Sequence, residues 1–213
     1  MYKNKCRVIP NCIDVNRLKV TKEIEEKAKQ IREQNKDKTI CFGIGRHIPY
    51  KGFTYLIKAS NYLDDSFRIF IGGKGELTES LKKEAGADDK IVFIGRISNE
   101  DLVAYYLAMD IFCFPSIAKS EAFGIALIEA MYFGKPAVTF NIPGSGVNYV
   151  NLKDVTGLEV PNRDYIGYSE ALIELSINKQ KREKLGKSAA RRVKELFLNK
   201  QFEQHIFSLL SFT

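Results

Sequence analysis

Short apolar runs alternate with longer amphipathic segments along most of the chain. The apolar runs are rich in β-branched and aromatic residues and are bounded by Gly, Pro or Asn, which is typical of buried strands. We predict strands at residues 39–45, 67–71, 91–95, 111–114, 137–141 and 156–161. Strands that alternate with helices about every 20–25 residues predict a parallel sheet with helices on both faces. The expected fold is therefore a single α/β, Rossmann-like domain with about six strands.

Three helix starts carry a capping residue in the sequence. Thr21 caps the start of a helix predicted at residues 21–34, and Asp164 precedes one at 165–177. Ser98 with Asp101 forms a capping box before a helix at 102–109. The pattern predicts further helices at residues 53–61, 76–85, 124–133, 179–197 and 201–210.

Length and composition narrow the class of protein. The chain has 213 residues, enough for one good core and too few for two full Rossmann domains. The hydrophobic content of 45% and the charged content of 28% are ordinary for a globular domain, and no apolar run reaches the length of a membrane span. The cysteines lack C-x-x-C spacing, which predicts reduced thiols without metal or disulfide roles: Cys6, Cys12, Cys41 and Cys113.

The net charge of +7 is compatible with nucleic acid, an anionic membrane surface or a phosphorylated ligand. Much of the excess lies in residues 179–200, where basic residues alternate with Glu and Ala. A solvated helix face is the first interpretation, and weak attraction to an anionic membrane is the alternative. Aromatic residues do not interleave with the basic ones as in an RNA-binding stripe, so nucleic acid is disfavoured.

The most informative stretch is residues 112–136, which predicts a strand, a loop and then a helix opened by Gly124. This helix start has no capping side chain, so the amides of Phe123, Gly124 and Ile125 are free to bind a phosphate. Glu121 precedes the helix and Glu129 lies within it, about 12 Å away if the whole segment is helical. The helix end could bind a diphosphate, and the two carboxylates could bind the hydroxyls of a ribose and a sugar. Together these groups match a nucleotide sugar.

The sequence EAFGIALIEAM at residues 121–131, followed by GKP at 134–136, resembles the E-x7-E donor site of family 4 glycosyltransferases. The resemblance covers residues 5–198. It implies the B-type glycosyltransferase fold of two Rossmann-like domains. It also implies a retaining, metal-independent reaction in which Glu121 orients the sugar and Glu129 binds the ribose.

Residues 45–52, GRHIPYKG, place two cations after the first predicted strand. Arg46 and Lys51 would lie at the carboxyl edge of the sheet, where they could stabilise a diphosphate leaving group as its charge grows. A metal ion does this work in other transferases, but no Asp-x-Asp motif is present. The segment also resembles the family's G-R-x(n)-K-G motif, which assigns catalytic roles to Arg46 and Lys51 alongside Glu121. We expect His47 to face solvent.

Further donor contacts follow from the resemblance. The GGKG turn at residues 72–75 would line the pocket, and the F-x-G turn at 93–95 would place residues 96 and 97 against the base. Residues 144–147 could offer amides to an anion, although a plain turn is equally consistent. The predicted donor-binding set is Gly45, Gly72, Gly73, Gly75, Arg96, Ile97, Ala122, Phe123, Gly124, Ile125, Glu129 and Ser145.

The resemblance also divides the chain. The predicted short strand and turn that begin at Cys6 resemble the family's V-x-P-N-G-[IV]-D interdomain segment, with Cys12 in place of Gly. Residues 1–18 would then end an amino-terminal acceptor domain, 19–198 form the donor-binding domain, and 199–213 the C-terminal crossover helix. The chain would be the C-terminal half of a two-domain glycosyltransferase. We expect a UDP- or GDP-sugar donor, a glycan or lipid-linked acceptor, and a protein free in the cytoplasm or peripheral to the inner membrane face.

Other functions remain as alternatives. A non-catalytic Rossmann-like module could use the same pocket to bind a nucleotide. A nicotinamide-dependent enzyme is disfavoured, because the third glycine of G-x-G-x-x-G and the acid after the second strand are missing. Nucleic-acid binding rests on the net charge alone.

Overall fold

The computed structural model describes residues 8–210, and the side chains of residues 8–208. Six parallel strands form one sheet in the order β3-β2-β1-β4-β5-β6. They are β1 Thr39–Ile44, β2 Phe67–Gly72, β3 Ile91–Gly95, β4 Ile111–Phe114, β5 Ala137–Phe140 and β6 Gly157–Val160. Each of the six predicted strands is confirmed to within two residues at either end.

The helices are α1 Lys22–Glu33, α2 Phe53–Ser60, α3 Thr78–Ala85, α4 Asn99–Ala108, α5 Ile125–Tyr132, α6 Val147–Val150, α7 Tyr165–Ile177, α8 Lys179–Leu196 and α9 Asn199–Leu210. The three predicted caps are confirmed, since Thr21, Ser98 and Asp164 each accept a hydrogen bond from a first-turn amide. The sequence pattern missed α6 and the 3-10 turns at Val15–Leu18 and Pro49–Lys51. These segments are only one turn long, too short to show a helical repeat.

The crossovers place helices on both faces of the sheet, as predicted. From β1 the chain moves toward one edge of the sheet, through α2 to β2 and through α3 to β3. It then crosses back through α4 to β4, on the other side of β1, and continues toward the opposite edge through α5. Right-handed crossovers made in opposite directions put their helices on opposite faces. Accordingly, α2 packs with α3 and α7, whereas α1 packs with α4 and α5 packs with α8. Between them lie fully buried aromatic side chains such as Phe42, Phe112 and Phe140.

The strand predicted near the amino terminus is wrong for the part of it that the structure describes, which begins at Val8. From Val8 onward the segment contains no strand, only an isolated bridge between Ile13 and Leu198. Pro10 has no amide hydrogen to give to a sheet, and the Ile13 amide donates instead to the Phe197 carbonyl (2.8 Å). Cys6 lies outside the described residues.

Two glycines let α8 approach the end of α5. A Cβ atom at Gly186 would lie 2.0 Å from the carbonyl oxygen of Gly134, so a side chain there would force the helices apart. The next residue, Lys135, points inward and donates to the carbonyls of Leu107 (2.9 Å) and Met109 (2.6 Å). Burial lowers the pKa of Lys135 to about 8.

The last helix, α9, leaves apolar side chains exposed. Phe207 is 65% exposed and Ile206 is 36% exposed. The domain boundaries proposed at residues 18 and 198 stay predictions. Within residues 8–210, none of the helices combines the length and the apolar character needed to cross a bilayer.

Candidate functional site

The site lies where the order of the strands reverses. β1 and β4 are neighbours in the sheet, but the chain leaves their carboxyl ends toward opposite edges, which opens a crevice between the two loops. The loops touch, since the Ile117 amide donates to the Tyr50 carbonyl (2.9 Å). Gly52 has a φ of 67°, and a Cβ atom there would lie 2.0 Å from the Pro115 carbonyl oxygen. Only glycine permits this approach.

Lys51 and Glu121 form an ion pair across this crevice. The Lys51 Nζ lies 2.5 Å from the Glu121 Oε2, which also accepts from the Ser116 hydroxyl (2.9 Å). The two side chains are 16% and 10% exposed. The aliphatic part of Lys51 runs over Gly45, where a Cβ atom would be 3.5 Å from Lys51 Cδ and Cε. Residues from the two predicted motifs therefore meet at one edge of the sheet.

Arg46 lies in the same loop as Lys51 but is not part of the ion pair. Its side chain is exposed and makes no hydrogen bond or ion pair with a described residue. A free guanidinium on this loop keeps all of its donors available for a ligand.

The start of α5 is open, as the sequence predicts. Gly124, the residue before the helix, has a φ of 89°, and no side chain caps the helix. The amides of Phe123, Gly124 and Ile125 donate to no acceptor within residues 8–210. Free amides at a helix amino terminus favour an anion.

The loop after β5 is fastened to the residues just before α5. The Ser145 hydroxyl donates to the Glu121 carbonyl (2.5 Å), and the Gly146 amide donates to the Ala122 carbonyl (2.9 Å). A Cβ atom at Gly146 would lie 2.4 Å from that carbonyl oxygen. Ser145 and Ala122 are thus held beside Glu121, and their contact with a donor stays a prediction.

The glycines after β2 fit closely against the loop after β1. Gly73 has a φ of 104°, and a Cβ atom there would lie 1.9 Å from the Gly45 carbonyl oxygen; at Gly75 it would lie 2.4 Å from the His47 carbonyl oxygen. Gly72 is buried, and its carbonyl accepts from the Gly45 amide (3.2 Å). Gly72 therefore lies beneath the predicted pocket, whereas Gly73 and Gly75 reach the surface.

The expectation that His47 faces solvent is wrong. Its side chain is buried, with Nδ1 3.0 Å from the Thr78 Oγ1 and Nε2 3.3 Å from the Gly72 carbonyl oxygen. The glycine-rich turn leaves room for the ring and supplies a carbonyl partner, and burial lowers the pKa of His47. The ring therefore ties the Arg46 loop to the neighbouring turn.

Glu129 is half-buried and accepts a hydrogen bond from the Tyr106 hydroxyl (2.9 Å). Burial raises the pKa of Glu129, while the Tyr106 hydrogen bond and the charge of Arg17 act in the opposite direction. Sequence reasoning missed Tyr106 and Arg17. Tyr106 looks like an ordinary apolar position of α4, and Arg17 comes from a segment far away in the chain, so neither carries a local signal.

Arg96 and Ile97 follow β3, at the same edge of the sheet but two strands from β1. The Arg96 side chain is exposed and has no partner among the described residues, whereas Ile97 is half-buried against the core. The structure does not bring either of them into contact with Lys51 or Glu121, and their role stays a prediction.

The described part of the chain offers no cluster of metal ligands. Residues 8–210 contain no group of three or more His, Cys, Asp or Glu side chains placed to hold a metal ion. Cys12, Cys41 and Cys113 are free thiols, the last two buried.

The model of the family described as glycosyl transferases group 1 matches residues 23–192. Among curated proteins, D-rhamnosyltransferase WbpZ of Pseudomonas aeruginosa is 33% identical over 199 residues, or 92% of this chain and 50% of WbpZ. O-antigen chain mannosyltransferase C of Escherichia coli is 29% identical over 201 residues, or 92% of this chain and 52% of that enzyme. The chain spans about half the length of these curated relatives.

A crystal structure of Anabaena HepE in complex with UDP and glucose superimposes with a TM-score of 0.84. The match covers 96% of this chain and 56% of HepE, at 20% sequence identity, which shows that the fold is shared. Together with the family match over most of the chain, these comparisons establish that the protein belongs to the group 1 glycosyl transferases.

Proposed function

We propose that this chain is the donor-binding half of a retaining glycosyltransferase that uses a nucleotide diphosphate sugar. The observation that carries the proposal is the Lys51–Glu121 pair beside the open amino terminus of α5. A cation, free amides and a carboxylate in one crevice match the charges of a diphosphate next to the hydroxyls of a sugar.

In this proposal the diphosphate lies between Lys51, Arg46 and the amides of residues 123–125. An ammonium group has three hydrogens, so Lys51 can bind Glu121 and still donate to phosphate oxygens. Negative charge grows on the diphosphate as the bond to the sugar breaks, and donors fixed beforehand stabilise that charge most effectively. No metal ion takes part in the proposed step.

The second oxygen of Glu121, Oε1, accepts no hydrogen bond from a described residue. We assign this oxygen to a sugar hydroxyl, with Ser145 and Ala122 shaping the wall beside it. Glu129 would bind the ribose diol while Tyr106 holds the carboxylate in place. Arg96 and Ile97 would contact the base. The complex of HepE with UDP and glucose favours a uridine donor, and GDP-sugars are the second candidate.

The whole protein would receive its acceptor, a glycan or a lipid-linked saccharide, on a surface contributed by sequence that this chain does not span. The rhamnosyl- and mannosyltransferase names of the relatives support a glycan product. On this view the chain alone binds donor and transfers nothing. We place the enzyme in the cytoplasm, with weak contact to the anionic inner face of the membrane through its net charge of +7.

Calorimetry with Glu129→Gln tests the donor assignment. UDP, GDP and ADP are titrated into the chain, and the nucleotide that binds is compared with its 2′,3′-dideoxy analogue. We expect the variant to lose about 1–3 kcal/mol with the ribonucleotide and almost nothing with the dideoxy form, because the lost hydrogen bonds go to the ribose. Glu84→Gln, an exposed acid on α3, is the matched control.

Three outcomes would contradict the proposal. One is an equal loss with both nucleotides, which would mean that Glu129 acts through the fold. Another is unchanged affinity in Glu129→Gln. The third is a failure of every nucleoside diphosphate to bind the wild-type chain at millimolar concentration.

A further inference from the structure

Helix α8 carries a row of exposed cations that form no ion pairs with the described residues. Its buried side consists of Leu185, Gly186, Ala189 and Val193, which face α5 and the sheet. The exposed residues Lys184, Lys187, Arg191 and Lys194 follow each other at intervals of three, four and three positions. At about 100° per residue, this row is centred almost opposite the buried side. We call these four residues the α8 basic row.

The cations of the row are unpaired, unlike other cations on the same helix. None of its four side chains makes an ion pair or hydrogen bond with a described residue. By contrast, Lys179 lies 3.9 Å from Glu183, and Arg192 donates to the Tyr149 and Val150 carbonyls. Two exposed acids lie beside the row: Glu183, whose one ion pair is with Lys179, and Glu195, and neither makes an ion pair with any of the four cations.

We infer that the α8 basic row is a docking surface for an anionic lipid bilayer. Four cations over about 15 Å of straight helix all point the same way, which suits a flat negative surface. Ile177 ends α7, seven residues before the first cation of the row, and is 79% exposed. Three of the four cations are lysines, whose flexible stems adapt to mobile headgroups, whereas recognition of nucleic acid favours Arg forks and stacking aromatics.

This inference rests on the proposed function in one respect. An enzyme that serves a lipid-linked acceptor gains from being held at the membrane, and the row names the surface that would hold it. The donor crevice lies at the carboxyl edge of the sheet, and the row uses none of its residues. Donor binding and lipid binding can therefore be lost separately.

Vesicle co-sedimentation of the full chain tests the inference. Vesicles of pure phosphatidylcholine are compared with vesicles containing about one third phosphatidylglycerol. The row variant carries K184Q, K187Q, R191Q and K194Q, and the control carries K19Q, K22Q, K36Q and K83Q, four exposed cations from other surfaces. Each set removes four charges, so both proteins keep a net charge of +3.

We expect wild type and control to bind the anionic vesicles, and the row variant to bind at least tenfold more weakly. Wild type should not bind pure phosphatidylcholine, and added salt should release it. Equal loss in both variants would show that net charge alone is responsible and would overturn the inference. So would binding to duplex DNA that competes with vesicles and depends on the same four residues. Nucleotide affinity should be the same in all three proteins, which separates this test from that of the proposed function.

Discussion

Replacing Lys51 with Met removes the cation of the candidate site and leaves its carboxylate partner in place. Glu121 is 10% exposed in its side chain and would keep only the hydrogen bond from Ser116. A carboxylate left in this state has lost most of its compensation for burial. Methionine has nearly the length of the lysine stem, so contacts of the aliphatic part over Gly45 are retained.

The size of the effect is estimated from general values for a close and largely buried ion pair. Two unit charges about 4 Å apart attract by about 4 kcal/mol at an effective dielectric constant of 20, and desolvation offsets a large part of this. We expect Lys51→Met to destabilise the fold by about 2–4 kcal/mol and Glu121→Gln by about 1–2 kcal/mol. The double variant should lose less than the sum, with a coupling energy of about 1–3 kcal/mol.

The two variants should differ more sharply in ligand binding. Lys51→Met should weaken UDP binding by about 10- to 100-fold, or about 1.4–2.8 kcal/mol. Glu121→Gln should bind UDP at least as well as wild type, because a negative charge beside the phosphates is removed. It should also lose the extra affinity that the sugar of a UDP-sugar provides.

Urea unfolding and calorimetry on the four proteins of the cycle measure both effects, with Lys83→Met as the surface control. A coupling energy below about 0.3 kcal/mol would mean that the pair does not form in solution. Unchanged UDP affinity in Lys51→Met would refute the placement of the diphosphate.

The remaining predictions concern the frame of the site. Gly73→Ala should cost at least about 2 kcal/mol more in urea unfolding than Gly86→Ala: both glycines have positive φ, but the added methyl meets the Gly45 carbonyl at residue 73 and open space at residue 86. Equal losses would contradict the close approach of the loops. The pKa of Lys135, about 8 in the folded chain, lies below its usual 10.5, so the folded state binds fewer protons between these values and stability should rise with pH there, by up to about 3 kcal/mol. Lys135→Met should lack this rise. If the stability of the wild type and of the variant changed in parallel from pH 7 to pH 10.5, the assignment of the rise to Lys135 would be wrong.

The strands and helix caps could be predicted because they depend on neighbouring residues. The buried apolar run of β4 and the Thr21 cap of α1 are visible in a few adjacent positions. The meeting of Lys51 with Glu121, 70 residues apart, could be expected only once a parallel sheet had been inferred, because such a sheet collects the ends of its strands at one edge.

What could not be predicted depends on contacts between distant segments. His47 is polar and lies in a loop, which favours exposure, yet the space left by Gly73 and Gly75 buries it. Tyr106 reaches Glu129 only because α4 and α5 lie on the same face of the sheet. The segment around Pro10 has the composition of a strand, but the Ile13 amide donates to the Phe197 carbonyl, 184 residues away, and the segment joins no sheet.

The order of the strands has a consequence for folding while the chain is being synthesised. β1, β2 and β3 can assemble as soon as they are made, but β4 then inserts on the far side of β1. Until residues 111–114 emerge from the ribosome, that edge of β1 exposes unpaired backbone amides and carbonyls along an apolar strand. Nascent chains halted before this point should be the species that chaperones retain and that cross-link with one another. The ligand crevice is completed later still, once Glu121, the start of α5 and Ser145 have followed β4 out of the ribosome.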